Sequence, residues 1–324
     1  MKPTVPLLAV LLAACAGSSA EPSTAPGTPS AIADSCAVAR PDFGAVATEA
    51  ERTLFAYDVG APLSLQKTVE STKNGVEASA ISFASPAGGS VTGLLFDPVT
   101  RSSLRPGIVL MHGMPGTARG MAAYAQLLAE YGAVVIAIDA PFARRAGEPV
   151  RLSTADRNEQ IQLIKDLQRA VDVLRARPNV DDARIAYLGI SYGGAMGALF
   201  VGIERRIRAA ALVVGDGGLV SHFTGPEDSS FMAGLSCATR VGWFQAMAPI
   251  EPIRFVAHAS PTALLLQNGR LDELVPVPDA EDLHAAAPAP KTIRWYVAGH
   301  GLNQQAMFDR HDWLQEQIGL DLRQ

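Results

Sequence analysis

The stretch Arg184-Ile-Ala-Tyr-Leu-Gly-Ile-Ser191-Tyr-Gly-Gly-Ala-Met-Gly-Ala-Leu-Phe200 decides the fold. A short apolar run, as expected of a buried strand, breaks at Gly189-Ile-Ser-Tyr-Gly193, and small helix-compatible residues follow. This is Gly-x-Ser-x-Gly in a strand-turn-helix context, where a tight, strained turn exposes the serine. The glycines are needed because positions two before and two after the serine leave almost no room for a side chain. Ser191 is therefore the candidate nucleophile.

Working outward, Val76–Phe83 and Val91–Phe96 read as strands joined by the turn-rich Ser85-Pro-Ala-Gly-Gly89. Gly107–Met111 and Ala133–Ile138 are continuous apolar strands, with a helix between them from about Arg119 to Glu130. Thr154–Arg175 places Ile161, Ile164, Leu167, Val171 and Leu174 at helical spacing, and Pro178 marks its end. Beyond Ser191 come a strand at Ala209–Val214 and a less regular segment, Gly215–Ser260, with a helix near Thr239–Ala248. Strands at Thr262–Gln267 and Thr292–Val297 follow, with helices near Asp279–Ala287 and Asn303–Ile318. This alternation predicts an α/β fold: a mostly parallel, eight-stranded sheet with helices on both faces and a small cap from 215–260. No internal repeat is visible.

A serine hydroxyl needs a positioned base, and the base needs an orienting carboxylate. In an open α/β sheet such groups belong just beyond the carboxyl ends of strands. Asp272, in Gly269-Arg-Leu-Asp-Glu-Leu-Val-Pro276, and His300, in Ala298-Gly-His-Gly-Leu302, meet that demand. Glu273 and Asp279 compete for the acid, and Asp272 also suits a plain turn position. His222, His258, His284 and His311 lie in cap or helix segments, which favours His300 as the base.

With these residues in place the chain, from about Val76 to its end, resembles an α/β-hydrolase. It is particularly similar to the dienelactone hydrolase-like and acetyl-xylan-esterase-like branches. The resemblance rests on Leu110-Met-His-Gly-Met-Pro-Gly116, Gly189-Ile-Ser-Tyr-Gly-Gly194, the Asp272 loop and Gly299-His300. Dienelactone hydrolases carry a cysteine nucleophile, so Ser191 shifts the expectation towards ordinary ester hydrolysis. The resemblance also implies an oxyanion hole made of backbone N–H groups, one from Tyr192 and one from Met114. In that loop His112 is expected to organise the backbone and to border the substrate pocket rather than act as base. Arg144, beside Arg145 after the strand ending at Asp139, either grips a substrate carboxylate or belongs to an ion pair. Phe231, Met232, Trp243 and Phe244 either line an acyl pocket or simply pack the cap.

The N-terminus reads separately. Lys2, the apolar run Val5–Ala14 and Leu12-Ala-Ala-Cys15 form a secretory signal that resembles a bacterial lipobox. That resemblance implies residues 1–14 as signal peptide, lipidation of Cys15 and a membrane-tethered, exported protein; an ordinary cut near Ser19-Ala20 is the alternative. Residues 15–35, rich in Ser, Ala, Pro and Thr, read as a flexible tether. Residues 36–75 read as an extension packed on the domain, and 76–324 as the catalytic domain. Export makes a Cys36–Cys237 disulfide plausible, against two separately buried thiols.

The 324 residues carry a net charge of -5, which gives no basic field for nucleic acid. Two remaining thiols are too few for a structural zinc site, and no glycine-rich phosphate or dinucleotide loop occurs, so neither metal nor cofactor is expected. The leading expectation is a serine hydrolase acting on a small-molecule carboxylic ester. A prolyl-oligopeptidase-type peptidase shares the fold and stays open, as does a hydrolase-fold binding lipoprotein without turnover. The oligomeric state is not legible.

Overall fold

A computed structural model describes residues 45–100, 104–224 and 234–322. The chain divides into two units, Met1–Cys36 and Ala37–Gln324; the first, with Cys15 and Cys36, lies outside the described residues.

Among the described residues, the second unit begins with a single helical turn, α1 (Glu49–Arg52), closed by a Thr48/Glu51 capping box. Strands β1 (Gln66–Lys73), β2 (Val76–Ala84), β3 (Ser90–Pro98) and β4 (Arg105–Met111) follow, then α2 (Ala122–Glu130), β5 (Val134–Ile138) and α3 (Thr154–Arg175). Next come β6 (Val180–Ile190), α4 (Tyr192–Ile203), β7 (Ala209–Val213), α5 (Leu219–Thr224), α6 (Cys237–Met247) and α7 (Pro252–Val256). The last elements are β8 (Ala263–Gly269), α8 (Val277–Ala286), β9 (Lys291–Tyr296) and α9 (Gln304–Ile318).

The strands form one sheet in the order β1-β2-β3-β5-β4-β6-β7-β8-β9. The first three are antiparallel to one another and β3 is antiparallel to β5, while the pairs from β5 through β9 are parallel. Every residue of β5 and β7 is buried, as a strand covered by helices on both faces requires. Alternation then divides the strands between two cores. Val109 and Met111 of β4 and Ile185 and Tyr187 of β6 face one layer, with Leu163, Ile164, Leu167 and Val171 of α3. Ile108, Leu110, Ala186 and Leu188 face the other, with Leu128 of α2 and Trp313, Leu314 and Ile318 of α9. Each large aliphatic buried in this way contributes about 1.5–3 kcal/mol relative to exposure.

The architecture is that of an α/β-hydrolase, but the sheet has nine strands rather than eight. The additional strand, β1, lies in the segment read as an extension, so the sheet starts before residue 76. All eight residues of β1 are exposed, so no apolar alternation marks it. It turns into β2 at Asn74-Gly75, both at positive φ, a two-residue hairpin turn. Upstream, Phe55 packs edge-on against Phe255 of α7 at 5.4 Å, and Glu51 pairs with Arg254. The cap, 215–260, contributes α5, α6 and α7 among its described residues. No helix among the described residues is long and apolar enough to cross a membrane.

Candidate active site

Ser191 ends the turn between β6 and α4 with φ 57° and ψ -119°, a region that L residues rarely occupy. The glycines around it make the turn possible. A Cβ on Gly189 would lie 2.1 Å from the Gly193 carbonyl oxygen, and one on Gly193 would lie 2.6 Å from that of Met111. The strained backbone is fixed by bonds on both sides: Ser191 N–H donates to Val213 at 2.8 Å, and its carbonyl accepts from Ala195 at 3.0 Å.

The three candidate residues meet from the ends of three strands. His300 Nε2 stands 2.9 Å from Ser191 Oγ, and His300 Nδ1 stands 2.9 Å from Asp272 Oδ2 and 3.1 Å from Oδ1. The side chain of Asp272 is fully buried, and Oδ1 also accepts the N–H groups of Leu274 and Val275 at 2.9 and 3.0 Å. Burial opposes ionisation of Asp272, but the bond from His300, those two N–H groups and the His300 charge hold its pKa below the usual carboxylate range. An ionised Asp272 fixes the proton of a neutral His300 on Nδ1, which leaves Nε2 to accept the Ser191 proton. Geometry thus sets Asp272 apart from its rivals: Glu273 is exposed, and Asp279 is buried in α8.

The other histidines have partners outside this series. His258 Nε2 donates to Ala47 O, His284 Nε2 lies 2.9 Å from Asn268 Oδ1, His311 lies beside Tyr124, and His222 Nδ1 pairs with Asp216. His112 is buried. Its Nε2 accepts from Ala140 N–H at 3.1 Å and its Nδ1 bonds Gly113 O at 2.7 Å, which makes it a neutral brace for the loop after β4. Burial lowers its pKa. It does not line the cavity at Ser191, contrary to its assignment to the substrate pocket.

That braced loop lies against the nucleophile, since a Cβ on Gly113 would be 3.1 Å from Ser191 Cβ. Met114 and Tyr192 line the same cavity as Ser191 and His300. Tyr192 is the first residue of α4, and a first helical N–H has no partner within its helix, so it can serve a ligand.

The cavity measures about 200 Å³, and its apolar wall is made by Met114, Ala195, Val214, Leu219, Leu274 and Val275. At two of the positions offered to the pocket, the structural alternative holds instead. Arg144 reaches away to Asp166 at 2.5 Å, a fully buried carboxylate, and to Ser90 O. Arg145 pairs with Glu159 in the same way. Trp243, in the cap helix α6, is buried, with Nε1 donating to Asp156 at 2.7 Å, and does not line the cavity. Phe231 and Met232 lie outside the described residues. Cys237, at the start of α6, is disulfide-bonded. Sequence reading missed Asp216 and His222, which do line the cavity. The available signal was that Asp216 closely follows β7, at a strand end. A larger groove of about 760 Å³, bordered by Tyr57, Asp172 and Arg206, contains none of the three candidate residues.

Fold and site together define an α/β-hydrolase with a serine, histidine and aspartate in hydrogen-bonded series. The chain belongs to the prolyl oligopeptidase family, whose model matches residues 120–305. Among solved structures it is similar to the acetyl xylan esterase from Paenibacillus sp. R4, at 18% identity and a TM-score of 0.66, covering 83% of this chain and 92% of that one. Acetyl xylan esterase 1 from Thermoanaerobacterium sp. JW/SL YS485 gives 14% identity and a TM-score of 0.66, with 84% and 94% covered. Both likenesses concern the fold. The uncharacterized protein YfhR of Escherichia coli (strain K12) is 28% identical over 165 residues, 49% of this chain and 52% of that protein. The chain spans about half the length of the curated relatives it matches.

Proposed function

We propose that the protein hydrolyses carboxylic esters of small molecules through an acyl-enzyme on Ser191. The observation that carries this reading is the continuous series Ser191 Oγ–His300–Asp272, with every contact within hydrogen-bond range. His300 Nε2 takes the Ser191 proton as Oγ bonds to the carbonyl carbon, and the oxyanion is held by the N–H groups of Tyr192 and Met114. Collapse of the tetrahedral species breaks the ester C–O bond, and the alcohol leaves with the proton from His300. Water, deprotonated by His300, then attacks the acyl carbon; the Ser191 Oγ–carbon bond breaks, the acid leaves, and His300 returns its proton to Ser191 Oγ. Asp272 orients the imidazole and stabilises its charged form throughout. A cavity of about 200 Å³ favours a short acyl group, in agreement with the acetyl group for which the two similar acetyl xylan esterases are named.

Membership of the prolyl oligopeptidase family favours a second reading, peptide hydrolysis at the same serine. p-Nitrophenyl esters of graded chain length, assayed beside peptidyl p-nitroanilides, separate the two. Ester turnover that peaks at short chains and vanishes in Ser191→Ala supports the first; preference for the anilides replaces it with the second. Absence of both, with no fluorophosphonate labelling of Ser191, leaves a binding protein. The lipobox-like Leu12-Ala-Ala-Cys15 supports a lipid anchor on Cys15 and an exported enzyme. Cys15→Ser should then release the protein from the membrane fraction, and unchanged partitioning rules the anchor out.

A further inference from the structure

Helices α2 and α9 cover the same face of the sheet, and where they meet lies a group of side chains that the proposed chemistry does not use. His311 of α9 stacks on Tyr124 of α2 at 5.8 Å and meets Tyr131 edge-on at 5.3 Å. Its Nε2 lies 3.3 Å from the Tyr124 hydroxyl. Arg310, the preceding residue on α9, is only 6% exposed, and its guanidinium sits over the Tyr124 ring, 5.4 Å from the centroid. Arg169, buried to a similar degree, pairs with Asp172 at 2.9 Å. Arg310 pairs with no carboxylate among the described residues, and its Nε is sealed from solvent without a hydrogen bond.

The acids nearest in sequence and space are committed elsewhere. Asp309 accepts from Tyr296 Oη at 2.8 Å and from Gln305 Nε2 at 2.6 Å, while Asp312 and Glu316 border a separate depression beside Arg294. Glu130 of α2 accepts from Gln126 and Asn74. The polar groups that Arg310 does act on are neutral: the Tyr124 hydroxyl, and His311, whose pKa burial and the Arg310 charge push down to about 4. An arginine does not shed its proton to escape burial. A positive charge is therefore held among aromatic rings, which is costly unless an anion joins it.

A monovalent anion neutralises one guanidinium, whereas a phosphate or sulfate dianion would leave a net negative charge in the same place. A carboxylate also presents two coplanar oxygens to the paired N–H donors of the guanidinium, which chloride cannot do. The enclosure of Arg310 admits only a small one. We infer that Arg310 anchors a binding site between α2 and α9 for a small free monocarboxylate, of the size of formate or acetate.

The test measures binding of radiolabelled acetate to the full chain by equilibrium dialysis at neutral pH. Beside it, thermal unfolding is followed in sodium acetate and in sodium chloride at equal ionic strength. The wild type should bind acetate and unfold about 2–4 °C higher in saturating acetate than in chloride. Arg310→Met should lose that increment. Arg310→Lys, which keeps the charge without the planar fork, should bind acetate about tenfold more weakly or worse. A wild type with no acetate-specific increment overturns the inference. So does an increment that survives Arg310→Met, because the acetate then sits elsewhere, such as the cavity at Ser191. If Arg310→Met does not fold, Arg310→Lys decides by dialysis, and an unchanged affinity overturns the inference.

Discussion

Tyr187 donates its buried hydroxyl to the carbonyl oxygen of Gly193 at 2.6 Å. The ring occupies a slot that two other glycines leave open: a Cβ on Gly189 would meet Tyr187 Oη at 2.7 Å, and one on Gly197 would meet Cε1 at 2.5 Å. The strand before the nucleophile thereby braces the helix after it. Tyr187→Phe keeps the ring and removes the bond, so the unfolding free energy should fall by about 1–2 kcal/mol. Turnover should fall more than KM changes, because the brace holds Ser191 rather than substrate. Urea titration and steady-state kinetics check both halves.

Ser191 itself carries backbone strain at φ 57°. Two inactive variants differ only in whether they relieve it. Ser191→Gly should be more stable than Ser191→Ala by about 1 kcal/mol, since glycine accepts this conformation without steric cost. Equal unfolding midpoints for the pair would remove strain from the account of this turn.

Asp272 links the site to pH. Its folded pKa is depressed, so the ionised carboxylate contributes stability that is fully present above the ordinary carboxyl value of about 3.9 and is lost as pH falls through the lower folded value. Asp272→Asn removes that dependence, and its stability should decline less steeply than the wild type's in strong acid. Asparagine also favours the wrong imidazole tautomer, so turnover should drop on the order of 10⁴-fold near neutral pH. Thermal unfolding across acid pH and ester kinetics read the two effects independently.

Glu251 works in the opposite direction. Burial, assisted by the nearby Asp216 charge and opposed by the Val220 N–H, pushes its carboxyl well above the usual range. Stability associated with the protonated group is therefore complete below the unfolded value of about 4.3 and declines as pH rises towards the folded one. Glu251→Gln does not titrate. Its stability relative to the wild type should improve as pH rises from 4.5 to 7.5, and a difference that stays constant across that range rejects the assignment.

The parallel half of the sheet was readable because its residues obey one dominant rule. Continuous apolar strands alternate with helices such as Thr154–Arg175, whose ends are marked by Ser153 and by Pro178, just past its last turn. Ser191, Asp272 and His300 were readable because each sits at the carboxyl end of a strand. β1 was not, since Gln66–Lys73 buries no face and only Asn74-Gly75 announces the hairpin. Arg144 stayed ambiguous because its partner Asp166 is 22 residues away, and sequence distance says nothing about which face of a helix meets a loop. His222 reads only as a cap residue, because its pairing with Asp216 depends on how a short irregular segment turns back on itself.

The nucleophile and its base are separated by 109 positions, and the base lies on the far side of two more strands. A chain emerging in order from its N-terminus therefore presents Ser191 long before the groups that make it reactive. Until β8 and β9 have added to the sheet, the serine is an ordinary alcohol with an ordinary, high barrier to attack. On the proposed acyl-enzyme mechanism the polypeptide is in this sense born inert, and reactivity arrives only with the final quarter of the fold.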